Sequence, residues 1–115
     1  MERVLVVDAE ARILRFTELT LKSSGYDVVT ATSGCEAIEL THSAKPDIII
    51  LDTFTDGLEL LKKLRSFSDI PIIVFSAKSR IGDKAIDSGA NDFLAKPFKP
   101  EELIKRIEAL LPLGG

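Results

Sequence analysis

The stretch DIIILD at residues 47–52 decides the fold. Its apolar residues follow one another without a break, so it lacks the alternation of a strand with one face in water. Such runs are typical of parallel strands that are covered on both faces. Short strands are predicted at residues 3–7 (RVLVV), 27–31 (DVVTA), 47–51 (DIIIL), 71–75 (PIIVF) and, more weakly, 92–95 (DFLA).

Helical patterns fill the intervals between these strands. The last helix has an apolar stripe at Leu103, Ile104, Ile107, Leu110 and Leu111, and the third has one at Leu60, Leu61, Leu64 and Phe67. Ser33 and Glu36 have the spacing of a capping box at the start of the second helix. Gly25 and Gly89 lie where the first and fourth helices should end, and each can adopt the left-handed conformation of a C-terminal cap.

Five strand–helix units in tandem predict a single doubly wound α/β domain over residues 1–115, with helices on both faces of a parallel sheet. Periodicity alone does not fix the strand order. Right-handed crossovers favour the flavodoxin-like order 2-1-3-4-5, in which strands one and three are neighbours. Ligands of such sheets bind outside the carboxyl ends of the strands, so the residues that end each strand are candidates for function.

Composition excludes several classes of protein. The chain has 115 residues, a net charge of −3 and no apolar stretch of membrane-span length or signal peptide. We therefore expect a cytoplasmic protein that binds neither membrane nor, through this domain, nucleic acid. The single cysteine, Cys35, has no partner for a disulfide and is expected to be a small packing residue on a helix.

Polar residues follow four of the predicted strands: Asp8, Asp52, Ser76 and Lys96. Each alone is explained by helix capping or by an exposed surface position. Together they indicate a site, because two carboxylates at adjacent strand ends repel each other unless a cation lies between them. A hard divalent ion such as Mg²⁺ meets that need and keeps room for water and a phosphoryl oxygen.

The ordered segments VLVVD, IIILD, IVFSA and GANDFLAKPF resemble the receiver domain of two-component response regulators over essentially the whole chain. The resemblance implies that Asp52 accepts a phosphoryl group from a phosphohistidine of a sensor histidine kinase. Mg²⁺ would be held by Asp8, Asp52 and the backbone carbonyl of Phe54. Ser76 would hydrogen-bond the phosphoryl oxygens, and Lys96 would pair with Asp52 or its phosphoryl group.

The same resemblance implies a signalling domain rather than an enzyme with a separate substrate. Ser76 and Phe93 would form the switch, and the Lys96–Pro97 peptide bond would be cis. Output would pass through helix four, strand five and helix five, a face through which receivers of transcription regulators commonly dimerise. Residues 112–115 are a possible start of a linker, so the chain is either an excised domain or a complete regulator.

Three departures from the family pattern leave an alternative open. Ala9 occupies the place of a second acid that ligates the metal, which should weaken Mg²⁺ binding, and Glu10 is one position further along. The loop TFTDG after Asp52 is short, and the fourth helix, which contains Gly82, is predicted to be short. The rival hypothesis is a pseudo-receiver, an interaction module that works without phosphate. A flavin-binding relative would need a glycine-rich phosphate loop where DAEAR stands.

Overall fold

The computed structural model describes residues 2–52, 57–77 and 81–111. Strands and helices alternate in this order: β1 (Arg3–Val7), α1 (Ala11–Ser23), β2 (Asp27–Ala31), α2 (Gly34–Ser43), β3 (Ile48–Asp52), α3 (Gly57–Arg65), β4 (Ile72–Ser76), α4 (Gly82–Asp87), β5 (Asp92–Ala95) and α5 (Pro100–Leu110). Phe54 and the possible linker at 112–115 lie outside the described residues.

The five strands form one parallel sheet in the order β2-β1-β3-β4-β5, which confirms the predicted doubly wound α/β fold and its flavodoxin-like strand order. The strands β3 and β4 begin and end one residue later than predicted. In the register, Val7 pairs with Leu51, and Asp52 pairs with Phe75. The carboxyl ends of β1, β3 and β4 therefore meet at one edge of the sheet.

Alternate residues of the buried strands supply two core layers, one on each face of the sheet. One layer joins the sheet to α1 and α5 and includes Val4, Ile50 and Phe75. The other joins it to α2, α3 and α4 and includes Leu5 and Leu51. Because both faces of β1, β3 and β4 are covered, their sequences are apolar without alternation.

The helix ends follow the predicted chemistry with one difference. Gly25 and Gly89 have φ angles of +94° and +114°, as expected of left-handed caps. The hydroxyl of Ser33 accepts the Glu36 N–H at 3.2 Å, but the Glu36 carboxylate accepts from the N–H of Thr32 at 2.8 Å. The Glu36 side chain of the capping box thus reaches the N–H of Thr32, one residue before the N-cap, instead of the N–H of Ser33 itself.

Two predictions about packing were wrong. The helix α3 ends at Arg65, so Phe67 lies beyond the apolar stripe, is 42% exposed and stacks on the ring of His42. Cys35 is on α2 as predicted, but it is exposed rather than packed, because the buried face of this helix belongs to Ala37 and Thr41. None of the helices in the described ranges has the length and hydropathy needed to cross a membrane.

Candidate functional site

A cleft of about 620 Å³ opens at the carboxyl edge of the sheet, and all four strand-end residues line it. Asp8 follows β1, Asp52 ends β3, Ser76 ends β4 and Lys96 follows β5. The structure therefore brings together side chains that lie as far as 88 positions apart in the chain.

Lys96 bridges the two carboxylates. Its Nζ atom lies 2.7 Å from Oδ1 of Asp52 and 3.4 Å from Oδ2 of Asp8. The backbone N–H of Lys96 donates to the carbonyl of Ser76 at 2.8 Å, which fixes the base of the side chain to the end of β4. One ammonium thus partly offsets the repulsion between two acids in a site where solvent screening is weak, since the three side chains are at most 15% exposed.

Asp8 is almost completely buried, with 1% of its surface exposed. Its Oδ1 atom accepts the backbone N–H of Glu10 at 2.9 Å. Burial raises the pKa of the Asp8 carboxyl, and the nearby charge of Asp52 adds to that effect. The Glu10 N–H and the Lys96 ammonium act in the opposite direction but do not cancel it. A cation bound beside Asp8 would therefore favour the charged form of this carboxyl.

Ala9 and Glu10 line the mouth of the cleft, and both are exposed. A methyl group supplies no ligand, so the described part of the cleft offers a metal the carboxylates of Asp8 and Asp52, with Glu10 at the rim. Within residues 2–52, 57–77 and 81–111, no group of three or more His, Cys, Asp or Glu side chains is arranged to hold a metal ion. Two carboxylates still fit Mg²⁺, which keeps several waters and completes its shell with phosphate oxygens.

The predicted switch residues occupy two positions on neighbouring strands. Ser76 is 3% exposed and faces the cleft from the end of β4. Phe93 lies in β5, is partly buried and packs against the core layer beneath α2, α3 and α4. The Lys96–Pro97 bond is cis, as the resemblance implied.

An apolar wall was missed by the sequence reasoning. It is formed by Ala9, Ile13, Phe16, Pro97 and Phe98. Phe16 is 50% exposed on α1 beside the cleft. The available signal was the wide arc of apolar residues along the first helix, since a helix that only covers a core needs a narrower stripe. These residues are Ile13, Leu14, Phe16, Leu19 and Leu21.

Comparison with known proteins agrees with this geometry. A family model described as the response regulator receiver domain matches residues 4–108. The probable transcriptional regulator ycf27 of Guillardia theta is 43% identical, and the match covers 96% of this chain and 45% of that protein. The chain spans about half the length of the curated relatives it matches.

Solved structures give the same result. The receiver domain of the Francisella response regulator 1452 is similar with a TM-score of 0.88 and 34% identity, over 96% of both chains. The response regulator protein TrrA of Thermotoga maritima, solved in complex with Mg(2+)-BeF, is 32% identical with a TM-score of 0.88, over 96% of this chain and 100% of that chain.

Proposed function

Because this chain belongs to the response regulator receiver domain family, and so to two-component signal transduction, we propose that Asp52 accepts a phosphoryl group from a sensor histidine kinase. The observation that carries this proposal is the contact of 2.7 Å between Lys96 and Asp52 in an open cleft. The carboxylate is accessible to a donor, and a cation already lies beside the place where charge would develop.

In the proposed step, a carboxylate oxygen of Asp52 forms a bond to phosphorus. The P–N bond to the donor histidine breaks, and the imidazole leaves with that electron pair and takes up a proton. Lys96 offsets the charge on the phosphoryl oxygens, and the Ser76 hydroxyl donates a hydrogen bond to one of them. The domain takes part in its own phosphorylation and dephosphorylation but has no separate substrate.

Receiver domains generally bind Mg²⁺, and Asp8 and Asp52, with the carbonyl of Phe54, would hold it here. When bound, the ion supplies positive charge that compensates the transferring phosphoryl group. The Glu10 N–H donates to Asp8 and orients its carboxylate. Burial raises the pKa of Asp8, so added positive charge would favour its charged form. Ala9 reduces the number of anionic ligands, so we propose that the ion is bound weakly.

The proposed output uses Ser76 and Phe93 as the switch. An aspartyl phosphate adds charge and acceptor oxygens beside Ser76, and a shift of this residue toward them gives Phe93 room to move inward. Phosphorylation would then change the population of conformers of the face formed by α4, β5 and α5. We propose that this face supports a homodimer. We also propose that the domain regulates transcription through a separate output segment, since the matched relatives are about twice as long as this chain.

Intact mass after incubation with acetyl phosphate and Mg²⁺ tests the phosphoacceptor proposal. We expect the wild type to gain one phosphoryl group and Asp52→Asn to gain none. Asp69→Asn is the matched control, because Asp69 is an exposed acid that precedes β4 at the opposite edge of the sheet, and it should be modified like the wild type. Modification that persists in Asp52→Asn would contradict the assignment of Asp52.

A pseudo-receiver is the second candidate function. One observation favours it: Ala9 supplies no ligand to a metal in the cleft. In that case the output face would be fixed without phosphate. An unmodified wild type, under conditions in which Ala9→Asp gains a phosphoryl group, would support the pseudo-receiver and refute phosphorylation of the natural chain.

A further inference from the structure

We infer that Phe75 is a positioning residue for Lys96: the face of its ring holds the ammonium within reach of Asp52. This inference rests on the proposed function of the site. The Nζ atom of Lys96 lies 4.5 Å from the centroid of the Phe75 ring, inside the range of a cation–π contact. Phe75 is fully buried, so water does not compete for this face of the ring.

The strand order explains why Lys96 needs support at this place. Lys96 follows β5 and Asp52 ends β3, and β4 lies between these two strands. Neighbouring strands are about 4.8 Å apart, so the side chain must cross roughly 10 Å of the sheet edge. Phe75 is the residue of β4 that pairs in register with Asp52 on one side and with Leu94 on the other. Its ring therefore lies along the path of the lysine side chain.

A neighbouring aromatic side chain fixes the orientation of the ring. The rings of Phe75 and Phe98 are 5.8 Å apart between centroids and inclined by 69°, an edge-to-face arrangement. Phe98 also lines the cleft. An aliphatic residue at position 75 would fill the same core layer but would present no negative face to the ammonium.

The contact with Phe75 differs from the two ion pairs of Lys96 in one respect. The carboxylate of Asp52 becomes an acyl phosphate when it is phosphorylated, so its attraction for the ammonium changes during the reaction. The ring is uncharged and its quadrupole does not change. Phe75 therefore holds Lys96 over the end of β4 both before and after transfer, and the ammonium stays available to the phosphoryl oxygens.

The test replaces Phe75 with phenylalanines that carry one, two or three fluorine atoms. Fluorination weakens the negative face of the ring in steps while changing its volume little. NMR of the Lys96 ammonium and ε-methylene reports their position and mobility, and acetyl phosphate reports the rate of Asp52 phosphorylation. We expect Lys96 to become more mobile in steps, and the rate to fall about threefold to tenfold for the trifluoro ring.

Fluorination of Phe67 is the control, because this ring is exposed and stacks on His42 away from the cleft. It should leave Lys96 and the rate unchanged. Lys96 signals that stay constant across the Phe75 series, or that change equally in the Phe67 series, would overturn the inference. A graded response of Lys96 in a protein that acetyl phosphate does not modify would support the role of Phe75 and refute the phosphoacceptor function instead.

Discussion

The ring of Phe93 lies directly against the backbone of Gly82. A Cβ atom added to Gly82 would lie 3.2 Å from Cδ2 of Phe93, closer than ordinary van der Waals contact. Gly82 is the first residue of α4 and Phe93 lies in β5, so two elements of the proposed output face meet at this contact. The absence of a side chain at position 82 thus defines the space in which the proposed switch residue sits.

Gly82→Ala should therefore reduce stability by about 0.5–1 kcal/mol, because crowding of Phe93 outweighs the gain in helix propensity. In a Phe93→Ala background the same change should stabilise the protein by about 0.5 kcal/mol. Urea denaturation of the four proteins measures the coupling. Gly34→Ala is the matched control: Gly34 begins α2, and its added Cβ would meet Leu60 at an ordinary 3.6 Å. Coupling below about 0.3 kcal/mol would contradict a tight Gly82–Phe93 contact.

Asp8→Asn should raise the melting temperature at pH 7 by a few degrees. Burial raises the pKa of Asp8, so the native state binds this proton more tightly than the unfolded state does. Stability therefore falls as the pH rises from the ordinary aspartate pKa of 3.8 through the raised value, and the full penalty is present above it. Asparagine has no charge to desolvate, and its amide oxygen can still accept the Glu10 N–H.

Thermal unfolding of wild type and Asp8→Asn across the acidic range checks this sign. The advantage of the variant should be largest at neutral pH and should disappear below about pH 3.8, where the wild-type carboxyl is protonated in both states. A wild type that is the more stable protein at pH 7 would show that Lys96 fully compensates the burial of Asp8.

The sheet was predictable because strands that are buried on both faces are apolar without alternation. An unbroken apolar run as short as Ile48–Leu51 favours a buried strand over a helix. Gly25 and Gly89 mark helix ends by a backbone conformation that other residues avoid. Phe67 was assigned wrongly because periodicity does not show where a helix stops. Arg65 is the last residue of α3, and its side chain donates to carbonyls that lie later in the chain, including that of Gly89.

The candidate site was predictable only in part. Strand ends could be read from the sequence, so Asp8, Asp52, Ser76 and Lys96 were found together. Contacts that depend on the register of neighbouring strands could not be read in the same way. Phe75 looked like an ordinary core residue of β4, and its place beneath the Lys96 ammonium follows from strand order and register.

Arg65→Lys should destabilise the protein by about 2 kcal/mol. The guanidinium donates from Nε to the carbonyl of Gly89 and from Nη1 to that of Ile70, both at 2.7 Å, and further bonds reach Ser68 and Asn91. A lysine ammonium cannot reproduce this planar fork, so carbonyls that face it lose their donors. Urea denaturation measures the loss, with Arg15→Lys on the exposed face of α1 as the control. A loss below about 0.5 kcal/mol, the range of surface substitutions, would contradict this role.

Ala9→Asp should tighten Mg²⁺ binding by about tenfold or more, because a third carboxylate would join Asp8 and Asp52 in the cleft. The same change should lower stability in the absence of metal, since one Lys96 ammonium would then face three acids. NMR titration with Mg²⁺, following Asp8, Asp52 and Lys96, measures the affinity, and melting temperatures with and without the ion measure the linked stability.

Ala9→Asn is the matched control for this prediction, because its side chain has the size of aspartate without the charge. It should lose little stability without metal and should gain much less Mg²⁺ affinity than Ala9→Asp. Equal affinity in the wild type and Ala9→Asp would mean that position 9 does not face the bound ion. The exposed methyl group at the mouth of the cleft would then have no bearing on the metal, and the main physical reason for the pseudo-receiver alternative would be removed.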